Sequence, residues 1–338
     1  MMPALFTSLR QDAVLRAYLV AVDVNPDAKG GHYADVFHQV PWATDPEYVN
    51  RILKISLMER VDIVIPGSDI EAYCLADARK RFDQIGVKLL ASPADVLNLI
   101  RNKSATYATL KSVGIRVPEY ACVANTQDLV KALSSFGYPE KNVVVKPVNG
   151  RGGRGMRLLT GNGLSPPQWI GGGAREKRID TEINAENCHG WFEDGMLMVM
   201  PMMNEPAYDV DVFIHHGIAK AVLGRRRFNP AGIPFTGNRI VSDPPLLHYC
   251  LEIAEALGLN ALHDIDLLTD ENGHPCLLEV NPRPSGSVAA AHAAGYPIMA
   301  VAVAETLNIP YPIVPPIKEI DLGVVPAVIP MVIPPDLT

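Results

Sequence analysis

Cysteine is sparse and carries no metal-binding spacing. The 338 residues hold five, Cys74, Cys122, Cys188, Cys250 and Cys276, with no CxxC pair among them. Metal–thiolate chemistry therefore has no frame here, and the pattern suits reduced thiols. Long apolar runs are missing too, since no stretch reaches the roughly 18 uncharged apolar residues that span a bilayer. The opening MMPALFTSLRQDAVLRAYLVAVDV is interrupted by Arg10, Gln11, Asp12 and Arg16, which is not a signal-peptide core. Positive charge is not in excess: 30 Lys and Arg stand against 37 Asp and Glu, a formal charge of −7. A non-specific nucleic-acid binder is usually basic. The expectation is a cytoplasmic protein with a mildly acidic surface and neither a nucleic-acid nor a membrane partner. The glycine-rich turn that opens a dinucleotide fold is also missing from the first strand region, which removes a nicotinamide site there. No internal repeat is visible.

The length suits two or three subdomains. Over the first hundred residues strand and helix signals alternate: YLVAVDV, a helix around PEYVNRILKISLMERV, VDIVIPG, a helix over 69–84, then VKLLA. Such alternation predicts a parallel sheet with crossover helices. One helix is predicted through SPADVLNLIRNKSATYATLKSVG, ending at Gly114 with Pro118 beyond. Strands follow at EYACVA and NVVVKP around a helix at LVKALSSF, and the pattern weakens between about 158 and 195. Beyond lie the strands MLMVMP, YDVDVFIH and IAKAVLG, a helix at LLHYCLEIAEALG, and LHDIDLLT and PCLLEVN flanking a turn at Asp270-Glu271-Asn272-Gly273. The last thirty residues, rich in Pro, Ile and Val, read as extended chain packing back on the body.

Gly150, Gly152 and Gly155 satisfy GxGxxG, but the dinucleotide fingerprint needs a helix to open at the glycines. MRLLTGNG follows instead, so the glycines are read as a hairpin turn. Such a turn still serves phosphates, because glycine lets backbone N–H groups approach the oxygens closely. Arg151 and Arg154 add charge to its tip. Lys146 lies in a strand of valines, where a buried ammonium needs a charged partner that a nucleotide phosphate supplies.

A second constellation lies near the C-terminus. Glu279 and Asn281 share one face of the strand LLEVN, and antiparallel pairing brings Asp266 of DIDLL beside them. Two carboxylates and an amide oxygen suit Mg²⁺ or Mn²⁺, which keep waters and share phosphate oxygens. Asp264 follows the same alternation as a further ligand or supporting group. Arg283 is close enough to contact the same phosphates or a developing oxyanion. Arg225, Arg226, Arg227 and Arg239 are candidates for holding an acidic substrate, against solvated loop charges.

The segments RNKSATYATLKSVGIRVPEY, VVVKPVNGRGGRGM, YDVDVFI and DIDLLTDENGHPCLLEVNPRPSGS resemble the ATP-grasp superfamily, in the flavour of stand-alone proteins similar to carbamoyl-phosphate synthase large subunits. The resemblance covers nearly the whole chain. It implies mixed α/β and α+β structure: a Rossmann-like pre-ATP-grasp domain over 1–102, a central ATP-grasp subdomain over 103–195 and a C-terminal one over 196–338. It implies ATP with Mg²⁺ or Mn²⁺, phosphate contacts from Lys103 and Lys146, and a lid at Gly150, Gly152, Gly153 and Gly155. Metal would be held by Asp266, Glu279 and Asn281, and Arg283 would stabilise the transferring phosphoryl group. The catalytic candidates are Lys146 and Arg283.

The hinge departs from the family. A glutamate that reads adenine is replaced by Met200-Pro201, and the ribose-holding acid by Ala207. Backbone groups of Met200 and Met202 are then expected to read the base, and Glu205 the ribose. The implied activity is ligation of a small carboxylate to an amine or thiol through an acyl phosphate. The alternatives are a carbamoyl-phosphate-synthase-like kinase for bicarbonate or carbamate, a nucleotide-sensing subunit without catalysis, and an oxidoreductase resting on GxGxxG alone. A homodimer is a family-level expectation.

Overall fold

The computed structural model describes residues 2–150, 154–161, 177–179, 183, 188, 190–193, 195–228, 237–313 and 322–324. After helix α1 (Met2–Gln11), the first part holds two short parallel pairs, β1 (Val20–Asp23) with β2 (Val36–Gln39), and β3 (Ile63–Val64) with β4 (Lys88–Leu89). The helices α2 (Tyr48–Met58), α3 (Asp69–Asp77), α4 (Arg79–Gln84) and α5 (Ala94–Arg101) accompany them. The periodicity over 69–84 predicts one helix, but the chain breaks it at Ala78, which leaves helical geometry.

The single helix expected across 92–114 is likewise two. Asn102 is extended, and its side chain accepts the Ala105 N–H at 2.9 Å, so it caps a new helix, α6 (Lys103–Ser112). An asparagine oxygen satisfying a free N–H of the first turn is a strong start signal. That break sets Lys103 at the head of α6. One turn later, Tyr107 is fully buried and its hydroxyl donates to the carbonyls of Leu277 and Leu278, both at 2.9 Å.

A five-stranded sheet comes next, in the order β5 (Ala121–Val123), β9 (Leu197–Pro201), β6 (Val143–Pro147), β7 (Arg157–Leu159) and β8 (Lys177–Ile179). Helix α7 (Thr126–Ser135) packs Leu129 and Leu133 against Val143, Val145 and Val199. β7 runs antiparallel to β6, so a strand follows the glycines. Gly155 has φ +74°, and a Cβ there would meet Pro147 at 2.8 Å, which reserves the position for glycine.

The larger sheet has six strands in the order β14 (Pro275–Asn281), β13 (Ala261–Thr269), β10 (Asn204–His215), β11 (Ile218–Arg227), β12 (Asn238–Val241) and β15 (Leu322–Val324). Arg225, Arg226 and Arg227 belong to β11, not to a loop. One face packs on α8 (Pro244–Ala256) and the first part of the chain, where Ile253, Ile265, Val210 and Leu277 join Leu75, Leu97 and Tyr107. Two helices not foreseen, α9 (Val288–Ala293) and α10 (Ile298–Leu307), bring Val288, Ile298, Ala302 and Val303 against Phe213 and Leu262. Of the last thirty residues, 309–313 and β15 are described, and β15 pairs with β12. No described helix is long and apolar enough to cross a membrane.

Candidate active site

Strand register assembles the site. Asp266 faces Glu279 and Asp264 faces Asn281 across β13 and β14. Across β13 and β10, Asp266 faces Asp209 and Asp264 faces Asp211, and Asp209 in turn faces Arg225 of β11. Because strand side chains alternate, these residues and Arg227 stand on one face as a continuous polar stripe. Asp209 and Asp211 had no site role in the sequence reading. Their signal was the acidic i, i+2 repeat of DVD in β10, the same spacing as DID in β13.

At one end of the stripe, Lys103 ion-pairs Glu279 at 3.2 Å and also donates to the Gly150 carbonyl. Lys103 and Lys146 are both buried, at 7% and 9% exposure, yet Lys146 makes no ion pair among the described residues. Its ammonium lies 6.0 Å from the Tyr107 ring centroid. Burial brings its pKa down to about 7, Lys103 adds to the fall, and Glu279 opposes it. For Glu279, burial pushes the pKa up, but the two lysines outweigh it and hold the acid below its usual range.

At the other end, Arg225 is completely buried and contacts Asp211 at 2.9 Å, Asp264 at 3.6 Å and Asp209 at 3.9 Å, while donating to the Ser287 hydroxyl. Arg227 chelates Asp209 and reaches Asp266 at 3.1 Å. Both guanidiniums are consumed by carboxylates, which corrects the expectation that they receive an acidic substrate. Burial raises Asp211 to about 6 and Asp264 to about 7, each helped by the Asp209 charge and opposed by Arg225. Arg283 ion-pairs Asp69 at the head of α3 at 3.1 Å, approaches Asp264 at 3.7 Å and donates to Asn281 Oδ1 at 3.4 Å.

The donors suit a hard divalent cation. Asp209, Asp264 and Asp266 each offer a carboxylate oxygen within 4.8 Å of the others. Among the described residues the buried Oδ1 atoms of Asp264 and Asp266 accept no hydrogen bond, with Arg225 at 3.6 Å from the first and Arg227 at 3.1 Å from the second. Oxygen donors with spare lone pairs fit Mg²⁺ or Mn²⁺.

The hinge residues lie apart from these charges. Met200 is buried in an apolar group with Val144, Leu158, Met203, Ala207, Leu268 and Cys276. The Met202 N–H donates to the Asn142 carbonyl at 3.2 Å, so that amide is already engaged. Glu205 is exposed, and its backbone carbonyl accepts from Thr269 at 2.6 Å. Gly150 and Gly155 flank the glycine turn, whereas Arg151, Gly152 and Gly153 lie outside the described residues.

Known proteins carry the same plan. Residues 193–325 match the family described as "ATP-grasp in the biosynthetic pathway with Ter operon", and residues 6–90 match "PylC-like, N-terminal domain". The chain is an ATP-grasp superfamily protein, with an ATP-grasp fold and a PylC-like pre-ATP-grasp domain. It is distantly related to the carbamoyl phosphate synthase large chain of Thermotoga sp. (strain RQ2), 25% identical over 288 residues, which is 77% of this chain and 24% of that one. It thus spans about a quarter of that relative's length. In fold it is similar to biotin carboxylase from Campylobacter jejuni, with a TM-score of 0.67, 18% identity and coverage of 92% of this chain and 70% of that one. The L-amino acid ligase from Bacillus licheniformis gives 0.63, 16%, 90% and 72%.

Proposed function

We propose that this protein joins a small carboxylate to an amine or thiol through an acyl phosphate, releasing ADP and phosphate. The observation that carries this reading is two buried lysines beside one carboxylate: Lys103 ion-pairs Glu279, and Lys146 makes no ion pair among the described residues. An ammonium buried without its own counter-ion is costly, and a polyphosphate threaded past both lysines relieves that cost. Lys103 and Lys146 bind phosphate oxygens, and Gly150 and Gly155 frame the turn that closes over them. Arg283 neutralises charge on the phosphoryl group in transfer. Asp266, Glu279 and Asn281 hold Mg²⁺, which when bound supplies charge neutralisation to the phosphates.

A substrate carboxylate oxygen attacks the γ-phosphorus and ADP leaves. The amine or thiol then attacks the acyl carbon, phosphate leaves, and the nucleophile gives up one proton. The nucleobase lies against the apolar group of Met200, Met203 and Cys276. With the Met202 amide engaged and no carboxylate at 200, discrimination among bases is weak. Met202 contributes packing, and the exposed Glu205 is the candidate for the ribose. The functional division runs 1–102, 103–195 and 196–338, and the protein acts as a homodimer in the cytoplasm.

A carbamoyl-phosphate-synthase-like reaction on bicarbonate or carbamate is the second reading, favoured by the relationship to those large chains. The test is ADP release with ATP and Mg²⁺ across pooled amino acids, small carboxylates and bicarbonate, with Glu279→Ala as control. Amino-acid-stimulated release that the substitution abolishes supports ligation, and bicarbonate stimulation supports the second reading. ATP binding with no turnover in any pool favours a sensor.

A further inference from the structure

On the face of β13 turned away from Asp264 and Asp266, His263 is completely buried. An aliphatic side chain there would fill the core without the cost of burying two ring nitrogens. His263 instead bonds at both. Nδ1 lies 3.0 Å from the Asn281 carbonyl, and Nε2 lies 2.7 Å from the Ser92 hydroxyl and 2.9 Å from the Asn260 carbonyl. Burial lowers the imidazole pKa, opposed by the bonds to the Asn260 and Asn281 carbonyls. The partner of Nδ1 can only accept, so the bond to Asn281 is made by a proton on Nδ1, while at Nε2 the Ser92 hydroxyl itself donates to the Asn260 carbonyl at 2.5 Å. Ser92, also completely buried, lies between β4 and α5 in the first part of the chain and accepts the Asn260 N–H at 2.8 Å. A hydrogen-bonded path thus runs from the α/β part, through the imidazole, to the backbone of Asn281.

The other bonds of Asn281 show what that path controls. Its amide nitrogen lies 3.3 Å from both the Asp264 carbonyl and an Asp264 carboxylate oxygen. The amide oxygen, Oδ1, is thereby turned toward Arg283. Asn281 is the last residue of β14, paired in register with Asp264 of β13. The bond from His263 holds the Asn281 carbonyl from the face opposite the acids.

We propose that His263 and Ser92 are positioning residues that hold Asn281, and with it the cation site, in register with the N-terminal α/β part. This rests on the reading of Asn281 and Glu279 as magnesium ligands. Neither His263 nor Ser92 touches the cation; their effect passes through the Asn281 carbonyl.

The test measures Mn²⁺ binding to the full chain with a non-hydrolysable ATP analogue, by the loss of the free Mn²⁺ electron-spin-resonance signal, alongside thermal unfolding. Asparagine places its amide nitrogen where Nδ1 stands, and glutamine places its own near Nε2. His263→Gln is expected to weaken Mn²⁺ about tenfold, the lower range for groups that orient metal ligands. His263→Asn is expected to restore most of that affinity. Ser92→Ala, which removes one oxygen from a filled core, is expected to weaken Mn²⁺ severalfold and serves if the histidine variants fail to fold. Folded His263→Gln or Ser92→Ala protein with unaltered Mn²⁺ affinity overturns the proposal, as does equal weakening by the glutamine and asparagine variants. Asn281→Ala and Glu279→Gln separate the two levels. If they weaken Mn²⁺ and the His263 variants do not, only the positioning role falls; if they leave Mn²⁺ unchanged, the metal reading falls with it.

Discussion

At the β11 end of the polar stripe, Arg225 and Arg227 close on Asp209, Asp211, Asp264 and Asp266, while at the β14 end Lys103 pairs with Glu279 and Lys146 makes no ion pair among the described residues. Both ends are buried and both are dense in charge. They differ in how the cations are satisfied. The guanidiniums have carboxylates on several sides and need no further anion. The lysines have one acid between them, so that end holds more cations than anions. Buried positive charge alone therefore does not mark a substrate site; the proposed function rests on buried positive charge short of a counter-ion.

The largest expected effect tests the lysine end. Glu279→Ala should lower MgATP-dependent ADP release by about 10²–10³-fold, the scale on which fixed charges at a reacting centre act, while circular dichroism stays native. Next is the arginine end. Arg225→Met should cost about 3–5 kcal/mol in urea unfolding, because it strands Asp211 and Asp264 without their partner. Adding Asp211→Leu should recover part of that loss. If Arg225→Met leaves stability intact and removes activity, the two ends have been assigned the wrong way round.

The ends also differ in the sign of their pH dependence. Lys146 falls to about 7 on folding, so between there and the ordinary lysine range the unfolded chain binds the extra proton. Ligand-free stability then rises with pH across about 7 to 10.5, by up to about 1.4 kcal/mol per unit. Lys146→Met should remove that slope. Asp211 and Asp264 rise to about 6 and 7, so between roughly pH 4 and those values the folded chain binds the extra protons. Their contribution falls as pH rises through that window, and Asp211→Asn should flatten its lower part. Denaturation midpoints measured at unit pH intervals check both signs. The smallest effect expected is at the helix that carries Lys103: Asn102→Ala should cost about 1 kcal/mol of stability, with a modest loss of nucleotide affinity in equilibrium titration.

Much of the site was legible in the chain because strand alternation is local. Glu279 and Asn281 share a face by spacing alone, and the turn at 270–273 brings Asp266 opposite Glu279. The strand after the glycines was legible from the apolar run MRLL. Asp209 and Asp211 were not placed, because nothing local tells that β10 lies beside β13 rather than another strand. β11, β12 and α8 intervene between the two in the chain, so their pairing is a long-range choice. Arg225 and Arg227 were misjudged for the same reason. A run of three arginines reads as solvated until the sheet supplies aspartates beside it.

By itself the sequence determined the alternating elements, the glycine turn, the DID and EVN acids on one strand face and the lysine buried among valines. Each follows from backbone geometry and side-chain alternation within a few residues. Only the tertiary structure decided that α6 starts at Lys103 and is pinned through Tyr107 to the carbonyls beside Glu279. It alone decided that the arginines of β11 are spent on aspartates and that Lys146 is not. Which buried charge finds a partner depends on strand order across the sheet, and strand order is set by the packing of segments far apart in the chain.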